Sequence, residues 1–220
     1  MTQLHPDGYL AAPAAGDDPG GATGAAVLVL HAWWGLNDTI KGLCDRLAAA
    51  GFVAYAPDLY HGQVADTIAG AEALSGALDA DGARADVAAA IDFLYARAGR
   101  PANGLAVIGF SLGVWFAMEA SAADPRIRAV VTFYGSAPGD YAASQAAYLG
   151  HFAGDDPYEP QEYVDETLAS LQSAGRPVTF HSYPGTGHWF FEPDRADAYD
   201  AAAAELAWQR TLAFLQSFAL

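Results

Sequence analysis

Short apolar runs alternate with helix-length segments along this chain, and that alternation constrains the fold more than any other feature. "VLVLH" (Val27 to His31) is a continuous run of aliphatic and β-branched residues, the pattern of a strand buried on both faces. Asn37 to Ala50 follows with Ile40, Leu43, Cys44 and Leu47 at helical spacing, Asn37 or Asp38 as cap and Gly51 as stop. "FVAYAPD" reads as the next strand, Ala65 to Leu78 as a weak helix, and Arg84 to Ala98 as a stronger one with Val87, Ile91 and Leu94 on one face. "GLAVIGF", "IRAVVTFY", "AAYLGHFAG" and "PVTFHSY" continue the strands. Helices are expected over Leu112 to Ala122, Gln161 to Ala174 and about Asp197 to Ser217. This order predicts one mostly parallel sheet with helices on both faces. "GYLAAPAAG" reads as an added edge strand and Asp17 to Gly24 as a loop. With no internal repeat and no linker, residues 1–220 are expected to form a single domain.

Sheets of this kind gather reactive groups at the carboxyl ends of their strands. "GLAVIGF" ends directly at Ser111, and a helix begins directly after it. Gly109-Phe110-Ser111-Leu112-Gly113 is a G-x-S-x-G sequence in the strand-turn-helix context of a nucleophile elbow. The alternative is an ordinary serine at a glycine-rich junction. The other strand ends decide between the two. "HFAGDDPYEP" places Asp155 and Asp156 after the fifth strand, either of which can orient a histidine. "SYPGTGHWFF" places His188 in a Gly-rich loop after the sixth. The order Ser, Asp, His along the chain is one of the known orders of a catalytic triad.

Each residue type has a chemical reason. A serine hydroxyl is a weak nucleophile until a neutral imidazole takes its proton, and a carboxylate fixes the imidazole tautomer. The oxyanion needs two donors. The backbone N–H of Leu112 supplies one at the start of a helix, and the loop "HAWWG" supplies the other through Trp33.

Several residues have two readings. Trp34, Trp115 and Trp189, with Trp33, lie near strand-end loops, where they either line an apolar substrate pocket or belong to the core. Tyr60 and His61 follow a strand and either reach the pocket or hold a loop. His31 reads as structural. His31, His61 and His188 lack metal-ligand spacing, so no metal is expected. Cys44 sits on a helix face and reads as buried and inert. The absence of G-x-x-x-x-G-K and G-x-G-x-x-G argues against a nucleotide, and no cofactor is expected.

Composition excludes several classes. The formal net charge is −16 with 10 basic residues and a single lysine, Lys41, so no cluster exists to bind nucleic acid. No apolar run approaches the roughly 20 residues of a membrane span, and "MTQLHPDGYLAAP" lacks the form of a secretory signal. Cys44 is the only cysteine, which suits a reducing compartment. A cytoplasmic protein, monomeric or a small homo-oligomer, is expected.

"VLVLHAWWGLND", "FVAYAPDLYHG", "VIGFSLG", "HFAGDDPY" and "YPGTGHWFF" together resemble the dienelactone hydrolase family, in order and from about Gly8 to Phe218. The resemblance implies an α/β-hydrolase fold without a large cap domain, which the short segment from Gly135 to Ala146 suits. It places Ser111 on the nucleophile, His188 on the base, and Trp33 and Leu112 on the oxyanion hole. Through the shared D-P-Y it places Asp156, rather than Asp155, on the acid. Three departures stand out. The family's namesakes carry cysteine where this chain has Ser111. They carry a glutamate where it has Ala32. They bind a substrate carboxylate with arginines, one at the position of Glu192, and the stretch from Ala48 to Ala83 has no arginine to supply another. Arg195 is the nearest substitute.

The resulting expectation is a serine hydrolase of small-molecule carboxylic esters or lactones, working through an acyl-enzyme. Glu192 in the pocket would favour neutral substrates. The alternatives are a true dienelactone (carboxymethylenebutenolide) hydrolase with relocated anion contacts, or a non-catalytic ligand-binding protein on a hydrolase scaffold.

Overall fold

The computed structural model describes residues 6–13 and 25–219. The expected loop from Asp17 to Gly24 and the end of the expected edge strand lie outside the described residues. Chain contacts divide the protein into two compact units, Met1–Leu105 and Ala106–Leu220.

In the first unit, β1 (Gly8–Ala11) pairs antiparallel with β3 (Val53–Pro57), which pairs parallel with β2 (Ala26–Leu30). Every residue of β2 and β3 is buried, as expected of strands covered on both faces. The covering helices include α1 (Asp38–Ala49) and α3 (Ala80–Arg97). Asn37 caps α1 by accepting from the Ile40 N–H, and Thr67 caps α2 (Ile68–Ala77) by accepting from the Gly70 N–H. The start of α3 differs from the expectation at Arg84. Asp79 caps it by accepting from the Asp81 N–H, and a Cβ on Gly82 would lie 3.0 Å from the Asp79 carboxylate. That glycine reads as a helix breaker in sequence, yet it makes room for the cap.

The second unit carries β4 (Leu105–Phe110), which begins at the boundary, then β5 (Ile127–Phe133), β6 (Ala147–Ala153) and β7 (Val178–Tyr183). The pairs β5–β6 and β6–β7 are parallel. Helices α4 (Leu112–Ala123) and α6 (Ala201–Ala219) pack against β5, and α5 (Gln161–Ser173) against β7. A buried histidine ties this unit together: the ring nitrogens of His151 meet the Tyr183 hydroxyl at 2.8 Å and the Thr211 hydroxyl at 3.0 Å. Helix α6 begins at Ala201 rather than near Asp197. Hydrogen-bonded turns run from Glu192 to Tyr199, and the Asp200 carboxylate caps the helix by accepting from the Ala203 N–H. Among the described residues, no helix is long and apolar enough to cross a membrane.

Candidate active site

The second unit brings Ser111, Asp156 and His188 together. β4 is buried along its whole length and ends at Phe110. The chain then reverses into α4 within one residue, Ser111, at φ +46° and ψ −111°. A non-glycine residue there costs about 1–3 kcal/mol and persists only when its surroundings impose it. Here the Ser111 N–H donates to the Phe133 carbonyl at 3.0 Å, and the Ser111 carbonyl accepts from Val114 at 2.9 Å. A Cβ on Gly109 would come within 2.8 Å of the backbone of Gly113 and Val114, so the turn can be this tight only with glycine there. The Ser111 side chain makes no capping bond to α4. Its Oγ lies 3.0 Å from His188 Nε2 instead.

His188 Nδ1 lies 2.7 Å and 2.9 Å from the two carboxylate oxygens of Asp156. A carboxylate can only accept, so Nδ1 carries the proton and Nε2 is left to accept from the serine hydroxyl. The Asp156 carboxylate also accepts from the N–H groups of Tyr158 and Glu159, which fixes its rotamer in the turn before α5. The His188 and Asp156 side chains are only 4% and 5% exposed, so little water competes for these bonds. Asp155, the other candidate from sequence, is exposed, and its backbone N–H donates to the Thr186 carbonyl in the His188 loop.

Aromatic rings enclose the imidazole: Tyr134 at 4.8 Å between centroids, Trp189 at 5.1 Å and Tyr158 at 5.2 Å. Of these, only Trp189 is evident from the sequence. Tyr134 directly follows β5 at φ +39°, in the left-handed region that aromatic residues seldom enter.

The family is now decided by comparison as well as by resemblance. The profile of the dienelactone hydrolase family matches residues 7–219. The chain belongs to the dienelactone hydrolase family. The protein usf of Aquifex pyrophilus is 32% identical over 96% of this chain and 93% of its own length. A Bradyrhizobium protein named probable 2-oxo-3-(5-oxofuran-2-ylidene)propanoate lactonase is 33% identical over 87% of this chain and 83% of its own. Among solved structures, a dienelactone hydrolase-like promiscuous phosphotriesterase from metagenomic libraries superposes with a TM-score of 0.81 at 25% identity, covering 92% of this chain and 90% of that one. The fold is that of the α/β-hydrolases without a large cap, since only residues 134–146 separate β5 from β6. As a member of this family, the chain is a hydrolase acting on esters or lactones.

The remaining sequence candidates fall in both units. Leu112 opens α4 directly after Ser111, where the first-turn N–H groups lack intrahelical partners. In the first unit, half-buried Trp33 packs edge-on against Trp34, which is 2% exposed and belongs to the core. Tyr60 and His61 meet at a cleft of about 250 Å³ beside α2 and α3. Tyr60 is buried in its wall, whereas His61 is exposed and pairs with Asp86 at 3.5 Å. His31 is structural, as expected: it is fully buried, with Nδ1 at 2.7 Å from the Ala32 carbonyl and Nε2 accepting from the Leu59 N–H. Trp115 is 45% exposed on α4 and stacks on Phe116.

Glu192 differs from the expectation of a charge open to substrate: the residue is 1% exposed and its Oε1 accepts from the Tyr134 hydroxyl at 2.6 Å, so it presents no open negative charge to a substrate. Burial raises its pKa to about 7, against the opposing hydrogen bond from Tyr134. Arg195, the nearest arginine, is held by Asp194 at 2.8 Å.

Proposed function

We propose that this protein is a serine hydrolase that cleaves carboxylic esters or lactones through an acyl-enzyme on Ser111, within one hydrolase domain spanning the chain. The observation that carries the reading is the continuous path from Ser111 Oγ to His188 Nε2 at 3.0 Å and from His188 Nδ1 to Asp156 at 2.7 Å. Ser111 Oγ attacks the acyl carbon as Nε2 takes the hydroxyl proton. The tetrahedral adduct collapses, the C–O bond to the leaving alcohol breaks, and that alcohol leaves with the proton from Nε2. Water, deprotonated by Nε2, then releases the acid and restores Ser111. Asp156 stays ionised, holds the tautomer and stabilises the imidazolium formed in each half-reaction. The Leu112 N–H is one oxyanion donor, and Trp33 is carried over as the other on the resemblance alone.

The preferred substrate is neutral, because the family's arginine position holds a glutamate and Arg195 is engaged by Asp194. Burial of Glu192 shifts the weight of this argument from repulsion to the missing cation. An anion entering the aromatic surroundings of His188 would lose hydration with no partner to replace it. The lactonase name of the Bradyrhizobium relative supports the second reading, hydrolysis of an anionic dienelactone with relocated contacts.

Mixing the protein with p-nitrophenyl acetate tests the proposal. A burst of nitrophenol approaching one equivalent, absent in Ser111→Ala, is expected. No burst and no turnover with esters, lactones or thioesters would leave a non-catalytic binding protein.

A further inference from the structure

Among the described residues, Glu192 is the one buried carboxyl close to the triad to which the mechanism above assigns no part. It follows His188 in the loop between β7 and α6, with its N–H donating to the Trp189 carbonyl and its carbonyl accepting from Arg195. Its Oε1 accepts from the Tyr134 hydroxyl, while Oε2 is buried with no hydrogen-bond partner among the described residues. Tyr134 is fully buried, and its N–H donates to the His151 carbonyl at 2.8 Å. Its ring lies 4.8 Å from the His188 imidazole at an interplanar angle of 56°. One aromatic ring therefore separates the Glu192 carboxyl from the imidazole. The charged groups facing this pair are few. Asp194 and Arg195, themselves paired, lie on the segment before α6, and Asp156 faces Tyr134 from the loop after β6.

We propose that Glu192 is a positioning residue for His188: through the Tyr134 hydroxyl it holds the Tyr134 ring against the imidazole, and its ionised form favours the imidazolium that the reaction creates. The inference rests on the hydrolase reading and deepens it. Among the described residues the Tyr134 hydroxyl is the one hydrogen-bond partner of the Glu192 carboxyl, so its removal should uncouple the two groups. A carboxylate one ring away from a cation, at an effective dielectric of about 20, corresponds to a rate effect of about tenfold. Because the carboxyl titrates at about 7, that effect should grow from weakly acid to weakly alkaline pH.

The test compares wild type, Glu192→Gln, Tyr134→Phe and the double variant on a neutral aryl ester at several pH values. The ratio of wild-type kcat to that of Glu192→Gln should rise from below about threefold at pH 6 to about tenfold at pH 8, with KM changing less than about twofold. Tyr134→Phe should give a similar loss, and adding Glu192→Gln to it should cost little more. A ratio constant across pH, or fully multiplicative losses, would overturn the proposal. A second arm needs no turnover: the side-chain carboxyl ¹³C resonance of Glu192 is followed with pH. Its midpoint should lie near 7 in the wild type and move up in Tyr134→Phe, where the bond that favours the ionised form is gone. If the wild type turns over no ester, the hydrolase reading falls, and this resonance alone decides the pairing. A midpoint unchanged in Tyr134→Phe then overturns it.

Discussion

Replacing Glu192 with glutamine should change how stability depends on pH, and the size of the change follows from burial. Glu192 is 1% exposed and its pKa rises from 4.5 to about 7 on folding. Between those values the folded state binds more protons than the unfolded chain, so stability falls as pH rises through the window. A shift of this size corresponds to about 3 kcal/mol at 1.36 kcal/mol per pH unit. Glutamine keeps the shape and an acceptor for the Tyr134 hydroxyl but cannot ionise. The Glu192→Gln protein should therefore gain about 3 kcal/mol relative to wild type between pH 4 and pH 8.5. Urea denaturation of both proteins across that range measures the difference, and groups that titrate alike in both cancel. A stability difference that stays constant within about 0.5 kcal/mol would refute the argument, because it would mean that Glu192 is solvated or ionised throughout.

Three further outcomes follow. Asp156→Asn should lower kcat by about 10⁴, whereas Asp155→Asn should stay within about threefold, as steady-state kinetics on an activated ester will show. His151 has a pKa lowered to about 3 by burial, so its neutral form is the folded form. Below the unfolded value of 6.5 the unfolded chain takes up a proton that the folded state refuses, so stability should fall by about 1.4 kcal/mol per pH unit as pH drops toward 3. Calorimetry should show that slope flattened in His151→Asn. On substrates, kcat/KM should favour a neutral aryl ester over an anionic dienelactone, and a tenfold preference for the anion would point to a cation contact not yet identified.

Much of the site was legible because its parts are local signals placed at strand ends. The β4 run, the glycine on each side of Ser111 and the order of Asp156 and His188 can each be read without tertiary structure. The choice between Asp155 and Asp156 came from the family resemblance, and the geometry at His188 distinguishes the two. What sequence could not carry was the direction in which side chains face. Glu192 reads as a charge lining the pocket, and only tertiary packing shows it buried against the Tyr134 hydroxyl. The positive φ of Tyr134 leaves no mark in the sequence, since no glycine or asparagine signals it. Trp34 and Trp115 look alike from sequence, yet one is 2% and the other 45% exposed. The starts of α3 and α6 differ from the sequence expectation for a related reason. Each is set by an aspartate cap, Asp79 or Asp200, amid residues that read equally well as loop or helix.

Covalent capture of the nucleophile tests whether Ser111 forms the acyl-enzyme. A serine-directed fluorophosphonate added to wild type, Ser111→Ala and His188→Ala is followed by intact mass and peptide mapping. One adduct per chain on the peptide containing Ser111, absent in Ser111→Ala and strongly slowed in His188→Ala, is the predicted result. Labelling at another residue, or at Ser111 with the same rate when His188 is gone, would contradict the account.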